Sequence, residues 1–129
     1  VPDDYAYRYR TLNNTGSVSQ TFTGAVTGAG ALTGSGGLTL AVDKCTVAWT
    51  TVANVSTCTG VTSSVLSSAG VSTSPSIRYG AIAAGGNEYL RYKFAIPTAA
   101  SYATFGNTTG TVTVAITGAA AAGVDRTAG

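Results

Sequence analysis

The chain has 129 residues, a formal net charge of +2, and only 9% charged residues, against roughly 25% in ordinary soluble proteins. That length holds one domain with one core, and so weak and evenly spread a charge argues against nucleic acid or an anionic membrane as an electrostatic partner. Hydrophobic residues reach 44% but fall in short alternating runs, none near the ~20 consecutive apolar residues that span a bilayer. The polar remainder is mostly Thr, Ser, Gly and Asn, which favours strands and turns over helices. A neutral, hydroxyl-rich exterior is expected of a secreted or cell-surface protein, or of an assembly subunit with little charge to repel its neighbours.

The first predicted element is the strand YAYRYRTL at 5–12. Alternation places Tyr5, Tyr7 and Tyr9 on one face and Arg8, Arg10 and Leu12 on the other. Neither is the small, polar face of an ordinary exposed strand. The tyrosines form either a core wall, with arginine stems covering the outside, or a contact with a neighbouring copy, since Tyr and Arg are enriched at interfaces. Composition does not separate the two, and the six residues Tyr5, Tyr7, Arg8, Tyr9, Arg10 and Leu12 are the candidate contact with a neighbouring copy. The segment NNTG at 13–16 reads as a hairpin turn, and so does GNTTG at 106–110. Between them, Val18, Gln20 and Phe22 share the face of a second strand. The run GAGALTGSGG at 28–37 lacks the Lys-Ser/Thr ending of a phosphate loop and reads as a flexible connection.

Leu38, Leu40 and Val42 then alternate with Thr39 and Ala41, and Cys45 and Cys58 follow with a weaker strand expected at 47–52. In a small Thr/Ser-rich chain the cysteine pair reads as one disulfide formed outside the cytosol, stabilising by roughly 3 kcal/mol. Two buried free thiols are the rival reading. Trp49, between the cysteines, is expected to be a core aromatic packed on the disulfide. A strand over Ile77–Ile82, the turn AAGGN at 83–87, and a strand with Leu90, Tyr92, Phe94 and Ile96 opposite Arg91 and Lys93 come next. Val112, Val114 and Ile116 alternate with threonines in the last strand. The one short helical candidate, TGAAAAG at 117–123, is bounded by glycines. These elements predict an all-β, two-sheet β-sandwich of about seven or eight strands with one disulfide, a single domain over 1–129, and a flexible tail at 119–129.

No catalytic constellation emerges, and the chain reads as a non-enzyme with no metal and no cofactor. Histidine is absent, which removes the Ser-His-Asp and Cys-His arrangements and every His-bearing zinc site. Asp3 and Asp4 are adjacent, so on a strand they point to opposite faces. Asp43 beside Lys44 reads as a plain surface ion pair, and Glu88 as a solvated rim opposite Arg91 and Lys93. The Asn-x-Ser/Thr triplets at Asn13, Asn54 and Asn107 read as turn chemistry in an Asn- and Thr-rich chain, not as glycan acceptors. The chain opens at Val1 without a charged and then apolar leader, as a mature secreted chain would.

Taken in order, VPDD, YRTLNNTGSV, LTLAVDKCTVAWT, STCTG, LRYKFAIPTAASYATFGNTTGTVTVAITG and GVDRTAG resemble the TasA/camelysin family, in particular its actinobacterial members exported by a dedicated signal peptidase. The counterparts of that family's pattern are Leu12, Asn14 and Gly16; Cys45, Trp49, Cys58 and Gly60; and Leu90, Arg91, Pro97 and Ala100. The resemblance implies a secreted, jelly-roll-like β-sandwich that builds extracellular fibres of a biofilm matrix, each subunit donating a strand to the next. It implies other copies of the chain as partners, with cell-surface or matrix components beside them, and makes the six residues of the first strand a polymerisation interface. Asp3 stands where the family has glycine, and the strand that usually precedes that position is not in this sequence. The donor is therefore expected to be residues 1–12, or the C-terminal AAAAGVDRTAG. The metalloprotease activity attached to the camelysin name finds no histidine to carry it. A monomeric adhesin or carbohydrate-binding module, using Tyr and Trp as stacking platforms, is the alternative function.

Overall fold

The computed structural model describes residues 5–34, 36–53, 55–96 and 110–120. Among the described residues nine strands follow one another: β1 (Tyr5–Asn13), β2 (Gln20–Ala29), β3 (Thr39–Cys45), β4 (Thr50–Val52), β5 (Val55–Thr57), β6 (Thr62–Gly70), β7 (Ser76–Ile82), β8 (Asn87–Ala95) and β9 (Thr111–Ala120). Short 3₁₀ turns at Ala31–Thr33 and Val71–Thr73 are the only helical elements among the described residues. The expected all-β sandwich is what the chain forms. The strand count exceeds seven or eight because β4 and β5 are a separate small hairpin.

The front sheet has the order β1-β8-β3-β6 and the back sheet β7-β2-β9, with every pairing antiparallel. Chain order and sheet order interleave: β1 front, β2 back, β3 front, β6 front, β7 back, β8 front, β9 back. NNTG is therefore not a hairpin turn, because β1 and β2 belong to different sheets; 13–19 crosses between the layers. GNTTG falls, apart from Gly110, within residues 97–109, which lie outside the described residues. The connection read as flexible at 28–37 begins with the end of β2 and continues into a 3₁₀ turn. β9 absorbs residues 119 and 120 of the expected tail; 121–129 lie outside the described residues.

The core sits between the sheets, where Leu12, Phe22, Val26, Leu40, Val42, Val71, Ile77, Tyr79, Ile82, Leu90 and Tyr92 are buried. Alternation explains most of it: even-numbered residues of β1, β3, β8 and β9 face inward. β7 breaks parity. Phe22 pairs with Gly80 and Thr23 with Arg78, leaving Tyr79 as the extra residue of a bulge, with Gly80 at φ 90°. The bulge lets Ile77, Tyr79 and Ile82 all point inward. Gly24 on β2 makes room for that tyrosine, since a methyl group there would stand 3.0 Å from the Tyr79 ring.

Asn14 closes one end of the sandwich. It is 2% exposed, donates through Nδ2 to the carbonyls of Val18 and Ile82 (2.8 Å each), and accepts from the Gly16 amide at 3.0 Å. Its own backbone N–H and C=O bond to Gly86 and Gly85, tying the β1–β2 crossing to the β7–β8 crossing. The Leu12, Asn14, Gly16 triplet is thus structural: a core leucine, a fully satisfied buried amide, and a glycine where a side chain would meet Asn14 and Gln20.

A candidate strand-accepting seam

The two long flanks of the sandwich differ. On one, β6 and β7 are joined by a short crossing whose Val71 is buried against β2 at Gly28. On the other, β1 and β9 are both edge strands, and nothing among the described residues pairs with their outer backbone edges. A groove of about 750 Å³ runs between them. Its floor is apolar, with Leu38 and Phe94 from the front layer facing Val112, Val114 and Ile116 of β9, all half-buried. Arg8 and Arg10 of β1 form its lip.

The six residues singled out on β1 divide between environments. Leu12 is buried in the core, Arg8 and Arg10 line the groove, and Tyr5, Tyr7 and Tyr9 lie on the outer face of the front sheet. The tyrosines are therefore not a core wall, and the arginines do not cover the outside. The faces are reversed relative to that reading, because Leu12 fixes the even-numbered side inward and carries the arginines with it. Alternation alone could not settle which face of an edge strand turns in.

The outer tyrosines meet the cations of β8. Lys93 Nζ stands 4.9 Å from the Tyr5 ring centroid, and the Arg91 guanidinium lies 4.6 Å from Tyr7 and 4.1 Å from Trp49. Tyr5 and Tyr7 pack edge to face, with centroids 5.4 Å apart. These contacts cross the β1–β8 ladder and reinforce it. Trp49 is half-buried here, on the outer face, and not in the inter-sheet core; its indole N–H donates to the Tyr89 carbonyl at 3.0 Å. The sequence missed this because Trp49 sits on an excursion whose direction is set by the disulfide.

That disulfide joins Cys45 and Cys58, whose Cα atoms are 5.9 Å apart, so neither thiol is free. It closes the segment carrying β4 and β5 and holds that hairpin against the front sheet. The strand expected at 47–52 is confined to β4. Tyr9 Oη donates to Ser56 Oγ at 2.8 Å, linking the hairpin to β1. Burial works to raise the Tyr9 phenol's pKa, but hydrogen bonds with Ser56 and Thr51 and the Arg91 charge outweigh it and hold it below its ordinary value. A hollow of about 180 Å³ opens beside Tyr9, Trp49 and Tyr89.

The charged groups pair across strands. Asp43 binds Arg91 at 3.0 Å on the outer face, and Lys44 binds Glu88 at 3.2 Å. Neighbouring Asp43 and Lys44 point to opposite faces, so the expected pair between them does not form, and Glu88 is a bonded partner in place of a solvated rim. Among the described residues no three His, Cys, Asp or Glu side chains are grouped to hold a metal ion, and no helix is long and apolar enough to cross a membrane.

Midway between the flanks the sheets are bridged by the Tyr79 and Tyr92 hydroxyls, buried and 2.6 Å apart. Burial pushes both phenols' pKa values upward, and for Tyr79 the hydrogen bond to Tyr92 adds to the rise; the nearby Arg10 charge works against it for both. No family model, curated protein or solved structure matches the chain.

Proposed function

We propose that the chain is a structural subunit of an extracellular filament, polymerising head to tail when a strand of one copy fills the β1–β9 seam of the next. The observation that carries this reading is the seam itself: two strand edges, unpaired among the described residues, facing a shared apolar groove. An inserted strand would hydrogen-bond to an exposed edge and cover half-buried side chains, removing the edge that otherwise invites aggregation. A donor from one copy and a seam on another make a heterologous contact, which propagates instead of closing. The disulfide is compatible with assembly in an oxidising, extracellular setting. The resemblance to secreted fibre-forming proteins points the same way.

The intramolecular hold on β1 favours it as a receiving edge, not as the donated segment. It pairs with β8 from Tyr5↔Ala95 to Asn13↔Asn87, and its tyrosines are held by Arg91 and Lys93. Donation of 5–12 would sacrifice all of these contacts. The donor on this reading comes from outside β1.

Negative-stain electron microscopy before and after mild denaturation and refolding tests the proposal. Regular filaments are expected from the native chain, and discrete particles from Val114→Asp, which places a charge in the seam. Discrete particles from the native chain at high concentration would count against the filament and favour a monomeric surface-binding module. That second reading has its own observation: Tyr9 is 46% exposed beside the Trp49 hollow, and Tyr5, farther along the same strand face, is 57% exposed. It predicts that glycan ligands change Trp49 fluorescence.

A further inference from the structure

The charges of the seam are unbalanced. Among the described residues Arg8 and Arg10 line it, no carboxylate does, and neither guanidinium meets a carboxylate. Arg8 donates, among the described residues, only to the neighbouring Tyr7 carbonyl. Of the five carboxylates in the chain, Asp43 and Glu88 are already committed to Arg91 and Lys44. The other three are Asp3, Asp4 and Asp125, all in terminal segments outside the described residues. The C-terminal segment 121–129 neutralises itself, because Arg126 follows Asp125. The run 1–4 carries two carboxylates and no basic side chain, opposite in sign to the lip.

Resting on the filament reading, we propose that the Arg8–Arg10 lip selects the acidic run Asp3–Asp4 of a second copy as it enters the seam. Adjacent residues of an extended segment point to opposite sides, so one of Asp3 and Asp4 faces the guanidiniums in either register. Bidentate geometry suits arginine to this pairing better than lysine. The apolar floor supplies non-directional attraction, and the lip supplies discrimination: a neutral or basic strand fits the groove but leaves two cations unpaired.

A charge-swap experiment tests this. Arg8→Glu/Arg10→Glu and Asp3→Lys/Asp4→Lys are each expected to raise the critical concentration for filament growth about tenfold or more. An equimolar mixture of the two variants is expected to restore growth, because each acidic run then meets a basic lip and each basic run an acidic lip. Folding of the variants is checked by circular dichroism and Trp49 fluorescence, and Arg8 and Arg10 are exposed enough to be replaced. Raising ionic strength with the native chain is an independent measurement and should weaken growth through screening. If the lip variant assembles like the native chain, or the Asp3/Asp4 variant does, the charge selection is overturned while strand insertion stands. If the variants fail singly and the mixture fails too, the pairing of these two groups is likewise wrong. If the native chain forms no filaments under any condition, the filament reading itself falls.

Discussion

The β6–β7 flank and the β1–β9 flank belong to one sandwich but are finished differently. The edge strand β7 buries Ile77, Tyr79 and Ile82, and the adjoining crossing sends Val71 inward to 1% exposure. The edge strand β9 offers Val112, Val114 and Ile116 in the same orientation, yet all three remain half-buried. Opposite them β1 presents Ala6 and two arginines where β6 presents Val65 and Leu66. The difference teaches that similar apolar alternation does not complete a core by itself. A strand needs matching apolar partners across the gap, and at the second flank the chain has supplied guanidiniums.

The contrast is broken most forcefully by placing the same charge on each flank. Val71→Asp should cost roughly 4 kcal/mol, as an unpaired charge forced into a dry site does, whereas Val114→Asp should cost about 1 kcal/mol or less. Urea midpoints at unchanged slope would measure both. Equal losses would mean that the seam is as closed as the other flank.

The next effect is that of the disulfide. Cys45→Ser/Cys58→Ser should lose about 3 kcal/mol and release the β4–β5 hairpin from β1, seen as a red shift of Trp49 emission. An unshifted spectrum would show that the cation–aromatic contacts hold the hairpin unaided, which would sharpen the picture of β1 as a fixed wall.

The smallest effect lies midway between the flanks. Tyr79→Phe should cost about 1 kcal/mol at neutral pH through the lost inter-sheet hydrogen bond. The folded-state pKa values of Tyr79 and Tyr92 are raised, so their contribution is fully present below the unfolded phenol's ordinary value near 10 and is lost as pH rises beyond it. The native chain should therefore begin to lose stability above about pH 10, and Tyr79→Phe less steeply. Thermal midpoints across the alkaline range check this; parallel curves would show that the buried phenols do not control alkaline unfolding.

Much of the fold is legible in the sequence where side chains alternate cleanly, as in Leu90, Tyr92 and Phe94 or in Val112, Val114 and Ile116. It is illegible where packing needs a missing side chain. The inner face of β2 reads Phe22, Gly24, Val26, Gly28, and the glycines that accommodate Tyr79 and Val71 erase the apolar period after Phe22. β6 was missed for another reason: TSSVLSSAG is mostly serine, with only Val65 and Leu66 packed on the core. The seam depends on which strands end up at edges, and that is set by pairings between residues far apart in the chain. The arginines of β1 were visible from the start, but not the groove that gives them a role.

The interleaving of the strands also sets the order in which the molecule can be built. With β1 in front, β2 behind, β3 in front and again β7, β8 and β9 in alternation, only the small β4–β5 hairpin closes over a short loop. Tyr5 must wait for Ala95, and Thr111 must find Ala29. Such long-range pairings make folding slow relative to a meander of the same size. During synthesis the first strand emerges long before its partner. The slot beside β8 is then among the last to fill, at a time when other copies also carry an unpaired β1.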